Sequence, residues 1–507
     1  MFDSTMFDAF ISGLLLVLNP TTLPMLFVGV FVGFWVGILP GLGGPVTMAL
    51  MLPFIFDMKP VEAFAFLLGM FAVTSTTGDI TSILFGVPGE PDSAAVILDG
   101  HPMAKNGETG RALSAALMSS LVGAIVGAVI LALIIPIVRP VVLALGSPEY
   151  FALAFLGIAF VASLSGGNIL KGVLAAGVGL LIGMIGLDPQ SGSPRYTFGK
   201  LELWNGVGLV PIAVGLFAIP EILELWVKGS SIAERRVGKL GGVWQGVVDT
   251  FVHWKLTLRG SAIGTLLGII PGLGAAASQW VAYAHAVQSA EDKSRFGKGD
   301  VRGVLAPGAC NNSRLGGALV PTIAFGLPAS TSMAILLGAF QIKGLVPGPD
   351  MLTTKLDITF SLVWLIVLSN IITVAMCYLL LNQLVKITYV RGALLIPTLL
   401  LLVFFGAYAD SNSLFDLGVA LIFGIIGLVM VYLGWQRPPL ILGLVLGPLI
   451  EKNLSISYGR YEFAFLSRPL VIVIIVATLL VTFYPLIQSA IDRRRGIKRH
   501  ERVATEV

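Results

Sequence analysis

Charge is what this chain lacks. Of its 507 residues, 28 are acidic and 32 basic, 12% in all, against about 25% in a usual soluble domain. Hydrophobic residues make up 56%, and mean hydropathy is +0.91. So little polar surface cannot coat soluble bodies of this length, which excludes a soluble enzyme, a nucleic-acid binder and a disordered scaffold. Histidine and cysteine are scarce as well. His101, His253, His285 and His500 show no ligand spacing. Cys310 and Cys377 sit in apolar context and read as small packing residues, so no metal centre, cofactor or catalytic residue is expected. No Lys or Arg precedes Lys59, so the basic start of a cleavable signal peptide is missing. No Walker A sequence occurs, and ATP hydrolysis through a P-loop is not expected.

What remains is an all-α polytopic membrane protein of roughly 11–14 membrane segments. Apolar stretches long enough to span run at about 112–138, 148–165, 168–187, 204–227, 361–385, 392–408, 414–435 and 468–489. Two others are interrupted: 23–56 by Pro40-Gly41-Leu42-Gly43-Gly44, and 259–286 by Pro271-Gly272-Leu273-Gly274. Short halves around a Pro/Gly centre suggest a re-entrant hairpin or a broken helix. The net charge of +4 is local: six basic residues lie between Lys228 and Arg259, and six between Arg493 and Arg502. The positive-inside rule places both segments in the cytoplasm and the N-terminus outside.

The interruptions belong to a repeat. Six of nine positions are identical between Val36–Gly44 and Leu267–Ala275, and Phe85-Gly86-Val87-Pro88 returns as Phe325-Gly326-Leu327-Pro328. Counting spans makes the copies inverted: a first transmembrane repeat at 1–227, a basic cytoplasmic linker at 228–258, a second repeat at 259–489 and a basic tail at 490–507. Inverted repeats with interrupted helices at matching places point to a secondary transporter whose site lies near the bilayer midplane.

The candidate substrate- or ion-binding residues follow from the breaks. They are Pro40, Gly41, Gly43 and Gly44 at the first tip, and Pro271, Gly272 and Gly274 at the second. Polar stretches add Thr76, Thr77, Gly78, Asp79, Thr81 and Ser82 in one repeat, with Asn311, Asn312, Ser313, Arg314, Pro321, Thr322, Pro328 and Ser330 in the other. Opened helix ends offer N–H groups to a carboxylate, and freed carbonyls with hydroxyl and amide oxygens to Na⁺. The alternative for the hydroxyls is bonding back to their own helices. Three readings stay open for Asp79 and Arg314: a mutual pair, a cation or proton site with a substrate-carboxylate ligand, or interfacial charges without function. Glu90 and Asp92 are expected at a helix end near the surface. Thr77-Gly78-Asp79 resembles the glycine–aspartate of intramembrane aspartyl proteases, which need a second aspartate that the sequence does not offer.

Several motifs together carry a family resemblance over almost the whole chain. They are Leu39–Gly44, Thr81–Leu84 running into Val87–Glu90, Asp99-Gly100-His101-Pro102-Met103-Ala104-Lys105 leading to Gly110–Leu113, Ile270–Gly274, Asn311-Asn312 with Gly316–Pro321, Gly344–Pro349, and Leu446–Glu451. The chain resembles the TctA family, the large membrane subunit of tripartite tricarboxylate transporters. That resemblance implies a small membrane subunit (TctB-like) and a periplasmic solute-binding protein (TctC-like) as partners. It also implies carboxylate uptake driven by a cation gradient, Na⁺ or H⁺, across the bacterial inner membrane. The chain departs from the family pattern at Asp79, where a small polar residue is usual, and at Arg314, where a small residue is common. Both are expected to tune substrate or coupling ion. The rivals are a carboxylate exchanger or channel that needs no partners, and a protease using Asp79.

Overall fold

The computed structural model describes residues 4–37, 43–86, 88–164, 169–188, 191–228, 240–271, 275–381, 383 and 396–494. Pro40, Gly41, Gly272 and Gly274 lie outside the described residues, as do linker positions 229–239 and tail positions 495–507.

Helices dominate. The first half runs α1 (Ser4–Val17), α2 (Thr22–Gly37), α3 (Gly44–Met51), α4 (Pro60–Phe85), α5 (Ile97–Lys105) and α6 (Thr109–Ala144). Then come α7 (Ser147–Leu164), α8 (Ile169–Gly183), α9 (Leu209–Ala213) and α10 (Ile219–Lys228). The second half runs α11 (Val243–Val252), α12 (Trp254–Ile269), α13 (Ala275–Ser289), α14 (Arg302–Phe325), α15 (Thr331–Ile342) and α16 (Leu356–Leu379). It continues with α17 (Ile396–Ser411), α18 (Leu414–Tyr432), α19 (Pro438–Tyr461) and α20 (Pro469–Arg494). Strand structure among the described residues is one two-residue pair, Gly186–Leu187 against Pro194–Arg195.

Five described helices are long and apolar enough to cross a membrane: α4, α6, α16, α18 and the stretch Pro438–Ser467. A sixth span forms if α1 and α2, bent by 65°, count as one. The other apolar helices are shorter, at 10–17 residues, which is why the spanning set is smaller than the 11–14 segments expected from composition. Such short helices do not cross a ~30 Å hydrocarbon layer alone.

The chain clusters into two units, Met1–Ala144 with Gly208–Val429, and Leu145–Val207 with Met430–Val507. These spatial units cut across the serial division at 228–258, and α11 and the start of α12 fall inside the expected linker. In the smaller unit, Gly179 of α8 packs on Leu440 of α19, and Gly443 of α19 packs back on Ala176 of α8. Ion pairs tie that unit together: Arg195 to Glu451 and, at 3.3 Å, to Asp188, and Arg468 to Glu149 at 2.8 Å.

The larger unit holds both interrupted segments, and there the repeat recurs in the packing. Gly29, Gly33 and Gly37 of α2 sit against Phe66, Met70 and Thr74 of α4. Gly260, Gly264 and Gly268 of α12 sit against Ala306, Cys310 and Arg314 of α14. Both rows have four-residue spacing on each helix, the arrangement that lets helix backbones approach closely in a membrane. A Cβ on Gly33 would lie 2.6 Å from the Met70 carbonyl oxygen, so the approach depends on its absence. Then α4 and α14 end alike, at Gly86 and Gly326, each left-handed with φ +67°. The loop between α13 and α14 is longer than the stretch that joins α3 to α4 in the first copy.

The two halves interlace within this unit. The long helix after each repeated segment packs mainly on the other half: α6 along α14, and α16 along α4. Likewise α1 packs on α16, and α11 on α6. As a result α4 and α14 are enclosed. Ala63–Leu84 and Gly303–Ala324 are buried without interruption.

Candidate functional site

The polar stretches fall within continuous helices. Thr76, Thr77, Gly78, Asp79, Thr81 and Ser82 belong to α4, and Asn311, Asn312, Ser313, Arg314, Pro321 and Thr322 to α14. The chain breaks only afterwards, at Gly86 and Gly326.

A Ser or Thr inside a helix has a carbonyl one turn back within reach, and these take it. Thr76 donates to the Ala72 carbonyl at 2.9 Å, Thr77 to Val73 at 2.9 Å, Thr81 and Ser82 to Gly78 at 2.9 Å each. Ser313 donates to Cys310 at 3.1 Å and Thr322 to Ala318 at 2.8 Å. Each of these hydroxyls therefore has an acceptor within its own helix, and Ser82 also reaches Ser93 beyond α4.

The asparagines do otherwise. Asn311 donates its Nδ2 to the Ser75 carbonyl at 3.0 Å and to Asp79 Oδ2 at 3.2 Å. Asn312 donates its Nδ2 to Thr76 Oγ1 at 2.9 Å and to Asn370 Oδ1 on α16. Asn370 in turn gives its own amide to the Ile366 carbonyl at 2.8 Å. A polar seam thus joins α4, α14 and α16, and every side chain in it is buried. Asn311 Oδ1 and, one turn beyond Asn370, Thr373 Oγ1 are buried with no hydrogen-bond partner among the described residues. Arg314 lies one turn along α14 and is buried too, with 8% of its surface exposed. An asparagine amide thus meets the Asp79 carboxylate inside the seam.

Glu90 is the residue that the sequence misplaced. Far from a surface position, it is 6% exposed, and its Oε1 accepts from the Gly44 backbone N–H at the first turn of α3. A carboxylate is well placed there, because a helix N-terminus carries unpaired N–H groups and partial positive charge. Its own N–H meets Ser93 Oγ, which Ser82 also reaches at 2.8 Å. Gly43 and Gly44 make this tip compact: a Cβ on Gly43 would lie 3.3 Å from Glu90 Cγ, and one on Gly44 would lie 3.1 Å from Thr74 Oγ1. The matching position of the second copy is Ser330, which caps its own helix, α15, by accepting from Met333 N at 3.3 Å. Pro271 is buried beside the second interruption. Pro321, Thr322, Pro328 and Ser330 build the α14–α15 turn, outside the seam's hydrogen bonds. Besides Glu90, sequence reasoning missed Ser75, Asn370 and Thr373. Asn370 had a usable signal, an amide in an otherwise apolar span.

Residues 23–442 match the sequence profile described as the tripartite tricarboxylate transporter TctA family. The chain is 32% identical over 483 residues to an "Uncharacterized 52.8 kDa protein in TAR-I ttuC' 3'region" of Agrobacterium vitis, covering 94% of this chain and 96% of that protein. It is 31% identical over 191 residues to an "Uncharacterized protein in TAR-II ttuC' 3'region" of the same organism, covering 38% of this chain and 79% of that one. No solved structure matches.

Proposed function

The chain belongs to the tripartite tricarboxylate transporter TctA family, and on that premise we propose that it imports organic di- or tricarboxylates across the bacterial inner membrane by symport with a cation. It is a multi-pass membrane subunit by helix content and family. In the proposed assembly a periplasmic solute-binding protein delivers the carboxylate, and a small membrane subunit completes the complex. The basic linker and tail face the cytoplasm, and the two repeats are inverted.

One observation carries the reading: a buried seam of Ser75, Thr76, Asp79, Asn311, Asn312 and Asn370 ties the two halves together inside an apolar frame. Polar and ionisable groups held inside membrane helices are costly, and they mark substrate and ion pathways. A seam made by both halves is remade when one half moves against the other, as alternating access requires. The matched glycine rows and the left-handed breaks at Gly86 and Gly326 support the repeat that such motion needs.

The test is uptake of a labelled carboxylate panel in cells that lack their own carriers. The chain is expressed with and without its two partners, in sodium and sodium-free buffer. Uptake that needs all three components and a cation gradient is expected. Equal uptake by this chain alone would leave a transporter without the proposed partners.

A further inference from the structure

Each half holds a helix that begins just after its interruption, α3 at Gly44 and α13 at Ala275. The repeat sets the two starts in register, because Val36–Gly44 matches Leu267–Ala275. Continued into the helices, the same register sets Thr47 against Ser278 and Met48 against Gln279. All four are buried, and Met48 and Gln279 have 0% of their surface exposed. Burial is the same in the two copies and the chemistry is not: a thioether in the first is an amide in the second.

That amide stands alone. Gln279 Nε2 and Oε1 are both buried, with no hydrogen-bond partner among the described residues. Buried donors and acceptors are nearly always paired, and leaving them unmade is unfavourable. Packing does not require the group, since Met48 fills the matching place. Helical Cα–Cβ bonds tilt toward the N-terminus, so Gln279 leans back over the first turn of its own helix, beside the second interruption.

The first copy shows what such a turn can hold. Glu90 Oε1 accepts from the Gly44 N–H, a carboxylate set on the unpaired N–H groups of a helix start. The matching residue of the second copy is Ser330, which brings no charge and caps α15. The repeated position thus gives a carboxylate to α3 and none to α13. A transported carboxylate brings the same group. Gln279 calls for more than that, because its Nε2 suits a carboxylate oxygen but its Oε1 needs a donor. An ionised carboxylate has none, and a hydroxyl does.

We propose, resting on the transport reading above, that the first turn of α13 and Gln279 form a subsite for a hydroxycarboxylate. The N–H groups of the turn and Gln279 Nε2 hold one carboxylate, as α3 holds that of Glu90, and Gln279 Oε1 accepts from the neighbouring hydroxyl. Helix α13 packs on α14 and on Pro91–Val96 of the first half, so the subsite lies where the two halves meet.

The experiment is thermal unfolding of the purified full chain in detergent, titrated with sodium malate, succinate, citrate or tricarballylate, with NaCl as control at equal sodium and ionic strength. Malate differs from succinate, and citrate from tricarballylate, by one hydroxyl. Tm should rise more with the hydroxylated member of each pair and not with chloride. Gln279→Met restores the side chain of the first copy. Its Tm in chloride should hold or rise, its apparent affinity for malate and citrate should fall about tenfold with the loss of a hydrogen bond to a charged group, and its preference for the hydroxyl should vanish. Gln279→Glu, which sets a negative charge beside the turn, should lose the response to all four carboxylates. Equal Tm in all five salts, or an undiminished preference for malate over succinate in Gln279→Met, overturns the subsite. So does a Tm for that variant several degrees lower in chloride alone, which would make the amide structural. Uptake separates this proposal from the reading beneath it. Carboxylate uptake that Gln279→Met leaves unchanged keeps the transporter and removes the subsite. A carboxylate-dependent Tm that Gln279→Met abolishes, with no uptake under any condition, keeps the subsite and removes the transporter.

Discussion

Asn312 holds two acceptors on two different helices, Thr76 Oγ1 on α4 and Asn370 Oδ1 on α16. Interhelical hydrogen bonds in membranes are worth only about 0.6 kcal/mol on average, whereas stranding a buried acceptor costs about 1–3 kcal/mol. The second effect decides here, because Asn312→Leu strands two acceptors. A loss of about 1–3 kcal/mol is expected in denaturation of the detergent-solubilised chain, and an unchanged midpoint would show that the seam reorganises freely. Asp300, in the loop before α14, is the residue to watch in acid. Burial pushes its carboxyl up, but the Arg302 guanidinium and backbone N–H outweigh that and hold it below its ordinary value of 3.8. A depressed carboxyl stabilises the fold above its unfolded pKa, and that stability is lost as pH falls through the lower folded value. The gap in Tm between wild type and Asp300→Asn should therefore be full near pH 6 and close below about pH 4. At this scale the sequence was half legible. Asp79 and the Asn311-Asn312 pair stood out as polar residues in apolar company. Glu90 did not, because its burial depends on the tip of α3, 46 residues away in the chain.

Among elements, the glycine rows make the sharpest demand. Gly264→Val would push a branched side chain into the backbone of α14 at Cys310, and overpacking of this kind costs about 1–3 kcal/mol. A methyl on Gly418 of α18 would meet nothing within 4 Å, so Gly418→Ala serves as the control. A lower Tm for the first variant and none for the second is expected; equal effects would deny the close approach of α12 and α14. For α3 the handle is Glu90→Gln, which keeps the size and removes the charge at the helix N-terminus. That charge is worth about 0.3–2 kcal/mol, and faster hydrogen exchange over residues 44–51 is the expected readout. The spans α6, α16 and α18 were legible as long apolar runs. Helices α4 and α14 were not, for a physical reason: enclosed by protein, they carry polar side chains that a lipid-facing helix could not. Their Ser, Thr, Asn and Gly content, with Pro307 and Pro321 inside α14, imitates a break. The rows at 29/33/37 and 260/264/268 were readable in principle, since their four-residue spacing is a membrane-helix packing signal.

For the whole molecule, the interlacing matters most. Because α6 packs along α14 and α16 along α4, neither repeat closes its own core. Residues 1–235 and 236–507 expressed as separate chains should each fail to yield a stable protein, while co-expression should restore a complex that purifies together. A stable first half alone would contradict the packing. The arrangement also sets a schedule for biosynthesis. When α4 leaves the ribosome, the helix that will cover it, α16, lies beyond residues 86–355 still to be made. A helix bearing Thr76, Asp79 and Ser82 must wait in or beside the membrane with its polar face uncovered. Chains fold from the N-terminus as they emerge, and exposed intermediates invite misassembly. The insertion machinery, or a chaperone within the bilayer, has to shelter α4 for that interval, so translation speed across the second half sets how long this protein is vulnerable.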